Sequence, residues 1–350
     1  MSDDSAAKHL IATTATLQEA FSRLDALVTD LDLFVVDQDQ RLVGSITDGD
    51  LRRGIVGGAQ LSDSVENVMH APCSYLREGE LDLSFIQQQR QRGIKALPII
   101  DRRHRVVDIL NFRRTKTRLP LDAVIMAGGK GSRLLPLTQD TPKPLLPVGG
   151  KPIIEYNLLR LQQYGVRLAT ITVNYLKEQL QNYARNLSLD GMSVQCVEET
   201  MPLGTAGALS LISEWHHDYV LLTNSDLLTT IDYEDFFLRF VDSGADMMVA
   251  AIPYPVKVPY AILEVEQDRI RAFREKPEYT YYANTGIYLM KKEVLSLIPS
   301  NSFYNTTDLM DRLLQEGRPL AYYPMVAYWL DVGKPDDYKK AQEDILHLSF

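Results

Sequence analysis

The chain has 350 residues, 45% of them hydrophobic and 24% charged, with a net charge of −9. That is the balance of a water-soluble protein with apolar material for two domain cores. The acidic surplus excludes nucleic acid or an anionic membrane as the main partner, because each requires a basic face, while leaving small anionic ligands open.

The first residues, MSDDSAAKHL, lack the basic start and apolar run of a signal peptide. No apolar stretch reaches the ~20 residues of a membrane helix. Cys73 and Cys196 follow no metal or disulfide spacing. They are expected to be small hydrophobes in a reducing, cytoplasmic setting.

Residues 1–115 contain an internal repeat at an offset of 64. Leu17, Phe21, Asp37, Arg41 and Val43 recur as Leu81, Phe85, Asp101, Arg105 and Val107. FVVDQDQRLVGSI (34–46) and PIIDRRHRVVDIL (98–110) each spell strand, polar turn, strand. Two copies of one supersecondary unit are expected to bury their apolar faces against each other. The first copy runs into VGSITDGDLRRG (43–54), which resembles the end of a CBS motif, and the two-copy layout resembles a CBS pair, or Bateman module, of α+β fold.

The resemblance implies a regulatory nucleotide, with Thr47 on its phosphate and Asp50 on its ribose. At the equivalent second-copy positions stand Asn111 and Arg114, so one nucleotide site per pair, or none, is expected. CBS pairs commonly associate, which implies a homo-oligomer. A purely structural dimerisation module is the plainer alternative. The basic, proline-containing stretch RRTKTRLPLD (113–122) reads as a linker, taken as residues 116–121.

From residue 122 to 350 strands and helices alternate. Strands are expected at AVIM (123–126), LATITVN (168–174), VLLTN (220–224), DMMVAAI (246–252) and TGIYLM (285–290), with a helix over 151–165. This is the pattern of an α/β domain with a mostly parallel sheet, whose ligands bind beyond the carboxyl ends of the strands.

The first strand opens into AGGKGSRLLPLTQDTPKPLLPVGGKP (127–152). Gly128, Gly129 and Gly131 let backbone N–H groups approach a phosphate, and Arg133 and Lys143 add cations. The spacing fits neither a Walker loop nor a dinucleotide fingerprint. Pro136 blocks an immediate helix, and the lysine of GGKGS is misplaced. What remains is a long phosphate-wrapping loop.

This run resembles the sugar-1-phosphate nucleotidyltransferases: strand, GGxGxRL, PxT, PKPLLP. The resemblance covers about residues 121–350. It implies a Rossmann-like, GT-A-like mixed sheet and a nucleoside triphosphate and sugar-1-phosphate as substrates. Asp226 in VLLTNSDLL and Asp331 in YWLDVGKPDDY match the family's metal carboxylates, so Mg²⁺ is the implied cofactor. Ala127, Gly128, Gly129, Gly131, Ser132, Gly204 and Thr205 are the implied nucleotide contacts. For the sugar phosphate they are Glu275 and Lys276 of FREKPEY, Asn284 and Thr285 of YANTGIYLM, Asn174 and Gly207.

Family members that use uridine or thymidine nucleotides place a glutamine five residues before the loop glycine, where this chain has Glu199. A carboxylate accepts two hydrogen bonds and donates none. It matches the paired N1–H and N2–H₂ donors of guanine and opposes the acceptor-rich uracil edge. GTP is therefore the expected nucleotide, unless Glu199 is only a turn residue pointing to solvent. Together with the CBS-like half, the chain most resembles the glucosamine-1-phosphate guanylyltransferases of bacterial legionaminic acid synthesis. Mannose- or heptose-1-phosphate guanylyl transfer, uridylyl or thymidylyl transfer, and a non-catalytic nucleotide sensor are the rival readings.

Overall fold

A computed structural model of the chain describes residues 4–28, 32–80 and 82–348. The chain divides into two compact units, Met1–Arg118 and Leu119–Phe350, so the division falls within the basic stretch.

The first unit contains α1 (Asp4–Ala7), β1 (Leu10–Ala12), α2 (Leu17–Ala26), β2 (Asp32–Val36), β3 (Leu42–Thr47) and α3 (Asp48–Val56). A second set follows: β4 (Leu76–Arg77), α4 (Leu83–Gln91), β5 (Ala96–Ile100) and β6 (Val106–Asn111). Each set makes a three-stranded sheet, β1-β2-β3 or β4-β5-β6, with a parallel pair followed by an antiparallel one.

The offset of 64 maps β2 onto β5 and β3 onto β6 residue for residue, and the β-bulges at Val35/Val36 and Ile99/Ile100 coincide. The repeated aspartate has a structural cause. Asp37 Oδ1 accepts from the backbone N–H of Asp39 (2.9 Å) and Arg41 (2.8 Å). Asp101 Oδ1 accepts from Arg103 (2.8 Å) and Arg105 (2.9 Å). Each carboxylate thus closes a hairpin turn whose tip, Gln40 or His104, takes a left-handed conformation. Phe34 and Leu42 of one copy and Ala96 and Ile100 of the other share one buried cluster. Leu81, the counterpart of Leu17, lies outside the described residues. The copies differ after their last strands: α3 follows β3, whereas residues 112–114 after β6 form only a turn.

The second unit starts with β7 (Asp122–Met126), the short β8 (Pro147–Val148) and β9 (Lys151–Pro152), α5 (Ile153–Gln163), β10 (Leu168–Val173), α6 (Lys177–Asn186) and β11 (Ser193–Glu198). It continues with β12 (Tyr219–Asn224), β13 (Leu227–Thr229), α7 (Tyr233–Ser243), β14 (Met247–Lys257), β15 (Ile262–Glu266), β16 (Arg269–Arg274) and β17 (Glu278–Lys291). It closes with α8 (Thr306–Gln315), β18 (Leu320–Pro324), β19 (Trp329–Asp331) and α9 (Pro335–Asp344).

Seven strands form one sheet in the order β11-β10-β7-β12-β17-β14-β18. Only β17 runs antiparallel to its neighbours, so the sheet is mixed and mostly parallel. Val124, Val220, Leu222, Met247 and Met290 from four of these strands meet in one core cluster. Burial on this scale contributes about 1.5–3 kcal/mol per large side chain. Parallel pairing of β7 with β10 on one side and β12 on the other brings the three carboxyl ends together.

Candidate active site

Beyond those carboxyl ends lies a cavity of about 450 Å³. Its floor is the loop after β7, with Ala127, Gly128, Gly129, Gly131, Ser132 and Arg133 all in the lining. Lys143 enters from the same long loop, Asp226 from the end of β12, and Glu199, Gly204 and Thr205 from the segment after β11. The structure therefore gathers eleven of the residues singled out in the sequence into one concavity.

The two metal-carboxylate candidates are fixed by backbone pairing. β13 and β19 are antiparallel, with Leu227 opposite Asp331, and the N–H of Val332 donates to the carbonyl of Asp226 at 3.0 Å. The buried Lys143 ammonium donates to Asp226 Oδ2 and stands 3.7 Å from Asp331 Oδ1. One cation thus sits between two carboxylates separated by more than a hundred residues of sequence.

Asp226 Oδ1 and Asp331 Oδ1 are buried with no hydrogen-bond partner. Burial pushes the Asp331 carboxyl above the usual carboxylate range and the neighbouring Asp226 adds to the shift, while Lys143 and Arg133 pull against it. The two carboxylates share one buried ammonium, and each retains a buried oxygen that accepts no hydrogen bond. Such oxygens are the donor set a hard divalent cation takes, one or two carboxylates completed by phosphate and water oxygens. Among the described residues no cluster of three or more metal-ligating side chains occurs.

Glu199 is 6% exposed, so it is not a solvent-facing turn residue. Its Oε2 accepts from the backbone N–H of Leu203 at 3.0 Å. Its Oε1 faces Gly128 so closely that a Cβ there would stand 2.6 Å away and would have to displace the carboxylate. Asn174 is outside the lining: its amide donates to the Glu199 carbonyl at 2.7 Å and so steadies the segment from behind.

The remaining sugar-phosphate candidates also stand apart from the cavity lining. Thr285 is buried, its hydroxyl donating to the Ala250 carbonyl (2.6 Å) and its own carbonyl accepting from the Trp329 indole (3.0 Å). Asn284 Oδ1 accepts from the N–H of Gly286. Gly207 packs against the Ser302 carbonyl, 2.4 Å from where a Cβ would lie. Glu275 and Lys276 are exposed, between β16 and β17.

Asn224, Ser225, Pro202 and Phe303 line the cavity without having been singled out in the sequence. The first two sit beside Asp226 in its motif. Phe303 comes from a segment stitched to the 203–207 loop: Tyr304 N donates to Leu203 O, and Ala206 N and Gly207 N both donate to Tyr304 O.

In the first unit, Thr47 caps α3. Its hydroxyl donates to Asp50 Oδ2 (2.6 Å), and Arg53 donates to Asp50 Oδ1 (2.5 Å). A cavity of about 320 Å³ between the two copies is lined by Thr47, Asp32, Asp48, Cys73 and Lys95, and Asp50 is not part of this lining. Asn111 Oδ1 accepts from Arg113 N.

The family model for nucleotidyl transferases matches residues 122–347. The chain belongs to this family. The model for the CBS domain matches residues 9–57, the first of the two copies.

Among curated nucleotidyl transferases, the chain is 31% identical over 227 residues to a probable mannose-1-phosphate guanylyltransferase 1 of Oryza sativa subsp. japonica. That match covers 62% of this chain and 63% of the relative's length. It is 28% identical to the D-glycero-alpha-D-manno-heptose 1-phosphate guanylyltransferase of Aneurinibacillus thermoaerophilus, across 65% of this chain and 99% of the relative. The crystal structure of HddC from Yersinia pseudotuberculosis complexed with GMP-PN superposes with a TM-score of 0.50 at 25% identity, covering 64% of this chain and 99% of that one. A putative glucose-1-phosphate thymidylyltransferase from Bacillus anthracis gives 0.51 at 26% identity, covering 66% and 97%. No helix among the described residues is long and apolar enough to cross a membrane.

Proposed function

We propose that the chain transfers a nucleotidyl group from a nucleoside triphosphate to a sugar-1-phosphate, releasing pyrophosphate. The observation that carries this reading is the meeting of Lys143, Asp226 and Asp331 at the end of a glycine-rich loop that also presents Arg133.

A sugar-phosphate oxygen attacks the α-phosphorus, the bond from that phosphorus to the bridging β-oxygen breaks, and pyrophosphate leaves with the bond's electrons. A phosphate monoester is largely ionised at neutral pH, with a second pKa of about 6, so no general base is required. The site accordingly offers cations and carboxylates in place of an activated Ser, Cys or His. The loop N–H groups and Arg133 hold the β- and γ-phosphates, and Lys143 faces the charge that builds on the α-phosphate. Asp226 and Asp331 would hold Mg²⁺, which when bound offsets phosphate charge.

GTP is the favoured nucleotide. Glu199 is buried at the cavity with Oε1 turned toward the loop, and the guanylyltransferase names among the relatives support the same base. Glucosamine-1-phosphate, for a cell-surface glycan precursor made in the cytoplasm, is the favoured acceptor on the resemblance to legionaminic acid enzymes. The CBS pair supplies a regulatory nucleotide site.

The decisive assay measures pyrophosphate release with Mg²⁺ from GTP, UTP and dTTP, each paired with glucosamine-, glucose-, mannose- and heptose-1-phosphate. Release above background for one pair, fastest with GTP, supports the reading. No release from any pair by protein that binds nucleotide would leave a sensor.

A further inference from the structure

Asn224 ends β12, opposite Met126 of β7 and one residue beyond the point at which β12 stops pairing with β17. It lines the cavity, and among the described residues its half-buried carboxamide has no hydrogen-bond partner. Packing holds it instead. A Cβ on Gly286 of β17 would stand 2.4 Å from Asn224 Nδ2, and Gly286 has φ +77°, so both the space and the backbone there exclude a side chain.

Gly286 sits in a bulge. Val249 of β14 is opposite Tyr288 and Ala251 is opposite Asn284, so Thr285, Gly286 and Ile287 stand against Ala250 alone. Three hydrogen bonds fix this shape. Thr285 Oγ1 donates to the Ala250 carbonyl at 2.6 Å, the Trp329 indole donates to the Thr285 carbonyl at 3.0 Å, and the Gly286 N–H donates to Asn284 Oδ1 at 2.9 Å. Bulges beside a site commonly re-aim a side chain. The side chains of Asn284 and Thr285, expected from sequence to hold the sugar phosphate, are here engaged with the backbone that seats Asn224.

Strand order decides which substrate Asn224 meets. Glu199 follows β11, the glycine-rich loop follows β7, and Asn224 ends β12. From β11 to β12 is three strand steps, about 14 Å at the ordinary spacing. A nucleotide with its base at Glu199 and its phosphates on the loop leaves the β12–β17 side to the acceptor. A carboxamide offers one acceptor and two donors without charge, which suits the hydroxyls of a sugar ring, whereas phosphate oxygens suit the cations Arg133 and Lys143.

We infer that Asn224 hydrogen-bonds ring hydroxyls of the acceptor sugar, and that Asn284, Thr285 and Gly286 are positioning residues that act through it. The inference rests on the nucleotidyl-transfer reading.

The test is steady-state kinetics on the substrate pair that releases pyrophosphate fastest. Asn224→Ala is expected to raise KM for the sugar phosphate about tenfold, the worth of one or two hydrogen bonds. The nucleotide KM and the melting temperature should stay unchanged, because the carboxamide bonds nothing in the protein. Thr285→Val deletes the hydroxyl that ties the bulge. It should raise the sugar-phosphate KM in the unsubstituted chain and add nothing to Asn224→Ala, since it acts through a side chain already gone. An unchanged sugar-phosphate KM in Asn224→Ala, an equal rise in the nucleotide KM, or a Thr285→Val effect that adds in full overturns the inference. Calorimetry separates it from the transfer reading: protein with Mg²⁺ and a non-hydrolysable GTP analogue is titrated with glucose-1-phosphate and with mannose-1-phosphate. Binding that Asn224→Ala weakens about tenfold, in protein that turns over no pair, would end the transfer reading and keep the contact. Neither binding nor turnover overturns both.

Discussion

The Lys143 ammonium binds Asp226 Oδ2 across 83 residues of sequence and stands 3.7 Å from Asp331 Oδ1. Removing the cation leaves two half-buried carboxylates without the ammonium they share. Lys143→Met is therefore expected to lose about 1–3 kcal/mol of stability, the cost of leaving a partly buried polar group without its partner. Mg²⁺ should restore part of that loss, because it replaces the missing positive charge. Thermal melts with and without Mg²⁺ check this. Asp226→Asn should fold normally yet lower kcat by about 10²–10³-fold, the scale of losing one electrostatic group at a phosphoryl-transfer site. Turnover like that of the unsubstituted enzyme at saturating Mg²⁺ would remove the metal role of Asp226.

Glu199→Gln keeps an oxygen for the Leu203 N–H and exchanges the other acceptor for an amide donor. The preference for GTP over UTP, as a ratio of kcat/KM values, should fall by about tenfold or more, matching the 1–3 kcal/mol cost of an unmatched buried polar group. Competition assays with both nucleotides read this ratio. An unchanged ratio would show that Glu199 does not read the base.

Phe303 is 61% exposed at the rim of the cavity while its backbone neighbours are held to the 203–207 loop. A bared ring in a fixed mount is suited to lie against a bound nucleobase, a contact measured at about 1–3 kcal/mol elsewhere. Phe303→Ala should raise KM for the nucleotide about tenfold with kcat nearly constant, and Phe303→Trp should restore it. Steady-state kinetics at varied nucleotide and saturating sugar phosphate make the measurement.

In the first unit, burial raises the Asp50 carboxyl, but the hydrogen bonds from Thr47 and the Arg53 ion pair more than offset it and hold it below the ordinary value of about 3.9. The stabilisation these bonds supply is complete above that ordinary value and is lost as pH falls through the lower, folded one. Asp50→Asn removes the titrating group. Its melting temperature should be lower at neutral pH and should fall less steeply on acidification than that of the unsubstituted chain, as scanning calorimetry from pH 7 to pH 3 would show.

The duplicated half was legible because the repeat preserves the groups that close its turns. Asp37 and Asp101 do the same work 64 residues apart, and a carboxylate that caps a turn leaves a visible trace in sequence. The loop after β7 was legible for a similar reason, since phosphate-wrapping demands glycine and cations in dense order. Phe303 was not, because what puts it at the cavity is three backbone hydrogen bonds to a loop about a hundred residues earlier, which leave no side-chain pattern. The continuation of β14 and β17 past the sheet was also hidden. These strands alternate like ordinary sheet strands, and only the lengths of their neighbours show that they leave the sheet. The Asn174 side chain carried an ambiguous trace: a polar residue after a strand end can face a ligand or hold a neighbouring loop, and here it holds the loop.

The pairing of β13 with β19 also has a consequence in time. The carboxylate of Asp226 is synthesised more than a hundred residues before the one it stands beside. A nascent chain that has not yet released residue 331 from the ribosome has the glycine-rich loop and only one of the two carboxylates. The shared contact of Lys143 with both carboxylates is therefore open only to a chain synthesised past residue 331.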